Sequence, residues 1–246
     1  MVNCILAAFS LLLLGVFLGP TASDAGQIYL HADFNDKTID QPILHRGAAY
    51  GEPYEVDAEA GGFVRSTPMS TPSLEIEDGS SSVSCSARFS FLENAGIVSG
   101  LAVVTANLWF AEMPGSLQYR VYVSDHNSGS ILVTLHFGGD GTVFVEDLNN
   151  NHVEVGLYEI GRVYPIAIAV DMTGHTYDVW FDGQIVRDDV PIGITDETLG
   201  EFVLAAGRDE DLDGLFYVDD IHVSDDPDAV PVDEITWGRI RGLFRR

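Results

Sequence analysis

The chain has almost no cysteine. Cys4 and Cys85 are the only two in 246 residues. Cys4 lies inside an apolar N-terminal run, so the body of the protein keeps Cys85 alone and can form no internal disulfide. A domain of this length builds a core without such staples. Cys85 sits in Val83-Ser84-Cys85-Ser86-Ala87-Arg88-Phe89-Ser90-Phe91, where apolar residues alternate with Ser and Arg. It falls on the apolar face and reads as a buried small hydrophobe. A catalytic thiol would need a local His or base to lower its pKa.

Positive charge is scarce as well. Lys37 is the one lysine, and arginines make up the rest of 12 bases set against 38 acids, for a net charge of −26. Phosphate binding needs a basic face, so nucleic acid is not an expected partner. An acidic surface suits a soluble extracellular protein in salty or calcium-containing surroundings, where ions screen its self-repulsion. The seven histidines, His31, His45, His126, His136, His152, His175 and His222, include no pair at zinc-ligand spacing. No G-x-S-x-G elbow and no phosphate-binding glycine loop occurs.

Long apolar runs are missing except at the start. Residues 5–18 carry no charge. That is short of the roughly 20 residues a membrane span needs. Gly19-Pro20 follows, and the small residues Ser23 and Ala25 fit a cleavage site. Residues 1–25 therefore read as a signal peptide, and the protein is expected outside the cytoplasm, as a secreted, periplasmic or surface protein. No Lys or Arg precedes the run, which keeps an uncleaved anchor as the alternative.

From Gln27 onward, short runs of period two are punctuated by Gly, Asp, Asn and Pro. This pattern predicts an antiparallel sandwich or barrel. Residues 131–137 form one run, and Gly138-Gly139-Asp140-Gly141 turns it into a return strand from Thr142. Residues 163–170 are apolar almost throughout and predict a central strand. Asp182-Gly183 between two alternating runs predicts a two-residue hairpin, with Tyr177, Val179 and Phe181 on one face and Asp178 and Trp180 on the other.

That hairpin is followed by a Gly-rich connection, by Gly200-Glu201-Phe202-Val203-Leu204-Ala205-Ala206-Gly207, and by Tyr217-Val218-Asp219-Asp220-Ile221. With the opening Asp33-Phe34-Asn35-Asp36, this order resembles the concanavalin A-like (laminin-G-like) jelly-roll superfamily over residues 26–223. The resemblance implies an all-β, two-sheet antiparallel jelly-roll sandwich with its first and last strands side by side. Such domains serve as lectins, glycan-binding modules, glycanases and adhesion domains, so the fold alone assigns no activity. The side-by-side strands would bring Asp33 and Asp36 to Asp219 and Asp220, a candidate structural calcium site. A competing local site is Asp209-Glu210-Asp211-Leu212-Asp213-Gly214, which matches D-x-D-x-D-G with Asp220 at the last ligand position. A strand rather than a helix follows it, so it is not an EF-hand. The plain alternative is an acidic loop in an acidic protein.

Two further patterns stand in the sequence. Glu55-Val56-Asp57-Ala58-Glu59 places three acids on alternate positions and resembles the catalytic strand of laminarinase-type enzymes. Its other face is thin, and Gly61-Gly62 ends it, so a solvated edge strand is the better reading. Tyr119, Tyr122 and Trp180 are candidate stacking residues for a sugar ring, set against the alternative of core packing. Residues 224–234 form an acidic, proline-containing linker. Residues 235–246 form a basic amphipathic tail, with Trp237, Ile240, Leu243 and Phe244 on one helical side and Arg239, Arg241, Arg245 and Arg246 around it. The tail resembles those of secreted bacterial proteins. It suits a membrane surface, an acidic partner or the protein's own acidic body. The expected function is a secreted, non-catalytic module that binds carbohydrate or a cell-surface partner. A polysaccharide-degrading enzyme (glycoside hydrolase or lyase) and a structural adhesion protein are the alternatives.

Overall fold

A computed structural model describes residues 27–35, 37–41, 55–56, 61–77, 86–91, 96–114, 118–125, 128–147, 152–192, 198–206 and 214–226. Residues 1–25, Cys85, Asp36, the 209–213 acids and residues 235–246 lie outside the described residues. Fifteen strands are described: β1 Ile28–Ala32, β2 Glu55–Val56, β3 Gly61–Arg65, β4 Ser73–Glu77, β5 Ser86–Ser90, β6 Leu101–Phe110, β7 Gln118–Asp125, β8 Ile131–Gly138, β9 Thr142–Asp147, β10 His152–Leu157, β11 Val163–Asp171, β12 Thr176–Phe181, β13 Gln184–Pro191, β14 Leu199–Ala205 and β15 Leu215–Ser224. No helix occurs among the described residues, and none is long and apolar enough to cross a membrane.

The strands form two antiparallel sheets. The first runs β13-β12-β11-β6-β15-β4-β3, with β1 also paired to β15; the second runs β10-β9-β8-β7-β14-β5-β2. The period-two runs became strands because each buries one row of apolar side chains between the sheets. The apolar run at 163–170 is an interior strand, paired to β12 on one edge and β6 on the other. Asp182 and Gly183 both take positive φ, 53° and 75°, as a type I′ hairpin requires. Glu55 and Val56 pair with β5 at the edge of the second sheet.

The main core fills the space between the sheets. Phe110 is at its centre, with ring centroids 4.6 Å from Tyr158, 4.8 Å from Phe137 and 5.6 Å from Tyr119. Rings at these offsets gain beyond simple area burial. Ala87, Phe89 and Phe91, which share the alternating pattern around Cys85, are fully buried here.

The first and last strands do lie side by side. His31 stands opposite His222, and Ala32 opposite Ile221. One edge of β15 changes partner midway: Leu215 to Val218 pair with β4, then Ile221 to Ser224 pair with β1. Asp219 and Asp220 sit at the change, where the register to β6 also shifts. Asp220 takes φ +52° there, a left-handed conformation that Asp tolerates better than most residues.

On the outer face of the first sheet, Asp178 is nearly buried. Burial pushes its carboxyl up from 3.8 to about 6, with repulsion from Asp188, Asp189 and Asp171 added and a hydrogen bond from the Asp189 N–H opposing. A raised folded-state pKa favours folding only below the ordinary value, and that contribution is lost as pH rises through about 6. Asp178→Asn should therefore stabilise the protein near neutral or mildly alkaline pH by on the order of 1–2 kcal/mol, and the gap should close in acid. Thermal unfolding of both proteins across that range checks it.

Candidate functional site

The outer face of the second sheet carries polar residues in register. One row across the strands is Arg88 (β5), Val203 (β14), Tyr122 (β7), Thr134 (β8), Glu146 (β9) and His152 (β10). The next row places Ser86, Ala205, Arg120, His136 and Phe144 on β5, β14, β7, β8 and β9. Each strand turns its apolar alternates into the core, so these residues face outward. Thr134, Ser124, Glu201 and His136 are nevertheless buried. The floor is therefore polar and recessed, which costs free energy unless something polar is satisfied there.

The charges are arranged around Tyr122 and His136. Burial raises the Tyr122 phenol, Arg88 and Arg120 oppose that, and Glu201 adds to it, so the hydroxyl stays protonated near neutrality. Burial lowers the His136 imidazole against the pull of Glu146, and His152 and Arg120 push it lower still. His136 Nε2 stands 2.8 Å from Glu146 Oε2. The pair is not aligned as a hydrogen bond, and Nδ1 has no partner among the described residues. Arg88 Nη1 lies 3.4 Å from Glu201 Oε2, and Ser124 Oγ donates to the same oxygen at 3.2 Å. Arg65 and Arg162 are held by carboxylates. Arg120 forms no ion pair among the described residues and is directly opposite His136.

The three expected stacking residues part company. Tyr122 lies on this face. Tyr119 points the other way, fully buried against Phe110 and Phe216; its hydroxyl donates to Glu112 O at 2.9 Å and accepts from Leu215 N–H at 2.7 Å. Its strand alternates strictly, so Tyr119 and Tyr122 cannot share a face. Trp180 lies on the outer face of the other sheet and is 1% exposed. A polar neighbour such as Asp178 marks the outer side of β12 but does not keep Trp180 in water. Arg88, Arg120 and His136 were missed as site residues. The available signal was a charged side chain at a polar position inside a β-branched run, repeated on neighbouring strands.

The acids of the closing strands are partly brought together. Asp219 is buried at the partner change in β15. Thr71 Oγ1 donates to its Oδ2, while Oδ1 has no partner among the described residues. Burial raises its carboxyl, the Thr71 bond opposes, and Asp220 and Asp33 repel it further. Asp220 accepts from Asn107 Nδ2 at 3.0 Å. Asp33, held below the usual range by hydrogen bonds from Asn35, is just beyond β1. All of these donors are oxygens, which suits a hard cation. Among the described residues no three acidic, His or Cys groups converge at ligand geometry. Asp36, Asp209, Asp211 and Asp213 lie outside the described residues.

No protein-family model matches the chain, and no curated protein matches it. Solved structures do. A sialidase is similar with TM-score 0.54 at 14% identity, over 82% of this chain and 19% of that one. Trypanosoma rangeli sialidase is similar with TM-score 0.51 at 16% identity, over 80% of this chain and 31% of that one. This chain thus spans less than a third of the sialidases it matches. At such identity the likeness concerns the fold, and it agrees with the two antiparallel sheets: the chain is an all-β jelly-roll sandwich.

Proposed function

We propose that this is a secreted carbohydrate-binding module that lays an acidic sugar chain across β5, β14, β7, β8 and β9. The observation that carries the reading is the register of Arg88, Tyr122, Arg120 and His136 on one recessed face of a protein whose surface is otherwise acidic. A guanidinium without a carboxylate partner among the described residues, as at Arg120, selects a ligand that brings its own carboxylate. Tyr122 supplies a flat, protonated phenol beside it. The sialidases that share this fold, one of them in complex with sialic acid, support a sugar partner. Membership of the concanavalin A-like superfamily is part of the same proposal. Affinity electrophoresis should show retardation by a polyuronate and none by a neutral glucan. Equal retardation by both, or none by either, contradicts it.

A second reading is cleavage of the same chain, a lyase or hydrolase activity. It is favoured by the neutral, buried His136 beside Tyr122 and Arg120, a base and a protonated acid on adjacent strands. Release of reducing ends from a bound polyuronate would establish it.

The structural calcium is proposed for Asp33, Asp219 and Asp220, with Asp36 as a further ligand. The Oδ1 of Asp219, buried without a partner among the described residues, and the repulsion Asp219 feels from Asp220 and Asp33 support it. Calcium should raise the melting temperature more than magnesium does at matched ionic strength, by linkage. Asp219→Asn should remove most of that difference. An equal rise with both ions means screening alone.

A further inference from the structure

We infer that the C-terminal segment 235–246 folds back onto the outer face of the first sheet and covers Trp180. The outer face carries a second apolar cluster, separate from the main core: Val103, Ala167, Ala169 and Trp180, with Leu101 and Ile185 packed against it. Trp180 is opposite Ala167 on one side and Ile185 on the other; Ala169 is opposite Val103. Their side chains point away from the other sheet.

These residues are too well buried for an open face. Trp180 is 1% exposed, and Ala167 and Val103 are fully buried. An indole resting on alanines shields them but leaves its own outer side bare. Every described strand belongs to one of the two sheets, so no described strand lies over it. Trp180 Nε1 is buried with no acceptor among the described residues. A buried indole N–H normally finds an acceptor, and the covering segment can supply one.

Segment 235–246 is the occupant that fits. β15 ends at Ser224, which is opposite Val103 of this cluster. From β15 to β12 is three strand spacings, about 14 Å. Ser224 belongs to β15 and Asp225 is tied to Gln27, and the eight residues 227–234 can extend about 26 Å, enough to cover that distance. Trp237, Ile240, Leu243 and Phe244 then meet the apolar patch. Arg239, Arg241, Arg245 and Arg246 meet the rim, where Asp171, Asp188 and Asp189 crowd Asp178. A twelve-residue helix is marginal alone in water, and docking supplies what it lacks.

The test uses the full secreted protein with Trp109→Phe and Trp237→Phe, which leaves Trp180 as the sole indole. Acrylamide should quench it weakly. Stopping the chain after Glu234 should raise the quenching constant severalfold and shift emission to the red, with unfolding still cooperative. Added peptide 235–246 carrying the same Trp237→Phe change should reverse both changes. Arg239→Glu with Arg241→Glu should reproduce part of the effect at low salt. Quenching unchanged by truncation overturns the inference. So does protection that vanishes on dilution, which assigns the cover to a second copy. Capture of the tail by anionic vesicles with Trp180 still shielded overturns it too.

Discussion

Phe110→Ala is expected to cost about 3–5 kcal/mol, the range for emptying a fully buried aromatic site. Phe110 has no exposure and meets Tyr119, Phe137, Tyr158, Tyr164 and Phe216. These rings come from strands of both sheets and from the segment after β10, so the cavity lies where the two layers are joined. They are large and held in one another's contacts, and collapse into the void would disturb several at once. For a domain of this size that loss lowers the melting temperature by on the order of 10 °C. Val163→Ala is the control. Val163 is 43% exposed, and its truncation should stay within about 0.5 kcal/mol. Chemical denaturation with an unchanged slope would show that Phe110→Ala acts on stability rather than on the unfolded state.

Arg120→Gln should weaken binding of an acidic glycan about tenfold to a hundredfold. Hydrogen bonds to a charged group are worth roughly 1.5–3 kcal/mol, and glutamine keeps a polar amide but neither the charge nor the full reach. Arg88→Gln should cost less, because Glu201 already shares that guanidinium. Arg120 also holds the neighbouring His136 imidazole down, so its loss should raise the His136 titration. Proton NMR reads that change independently of ligand. Calorimetry of the two variants against one oligouronate gives the order. Equal losses would mean that Glu201 does not neutralise Arg88.

Much of the fold was legible because strands announce themselves by alternation. Asp182-Gly183, the interior run at 163–170 and the pairing of the segment around Leu30 with that around Ile221 all follow from local pattern or from the resemblance it supports. The candidate site was less legible. Alternation says which residues of one strand share a face, yet it does not say which strands are neighbours. Tyr122 and His136 share the β7–β8 pairing, but Arg88 is far from them in the chain and joins them only because β14 inserts between β5 and β7. Trp180 failed as a surface residue for a related reason. Its side of β12 was read correctly, but burial on that side depends on what lies over the sheet. The acids at 219 and 220 stand out in the sequence as an adjacent pair inside an apolar run. What sets them apart is the partner change in β15, which only the sheet order reveals.

The most direct test of the account is to map the ligand's footprint. Backbone amide shifts would be recorded while an oligouronate is titrated into the protein in a calcium-containing buffer. The account predicts perturbations that follow the two rows, centred on Arg120, Tyr122 and His136 and fading toward β10. Perturbations centred on β1 and β15, or on the Trp180 face, would contradict it, as would a titration that moves no amide.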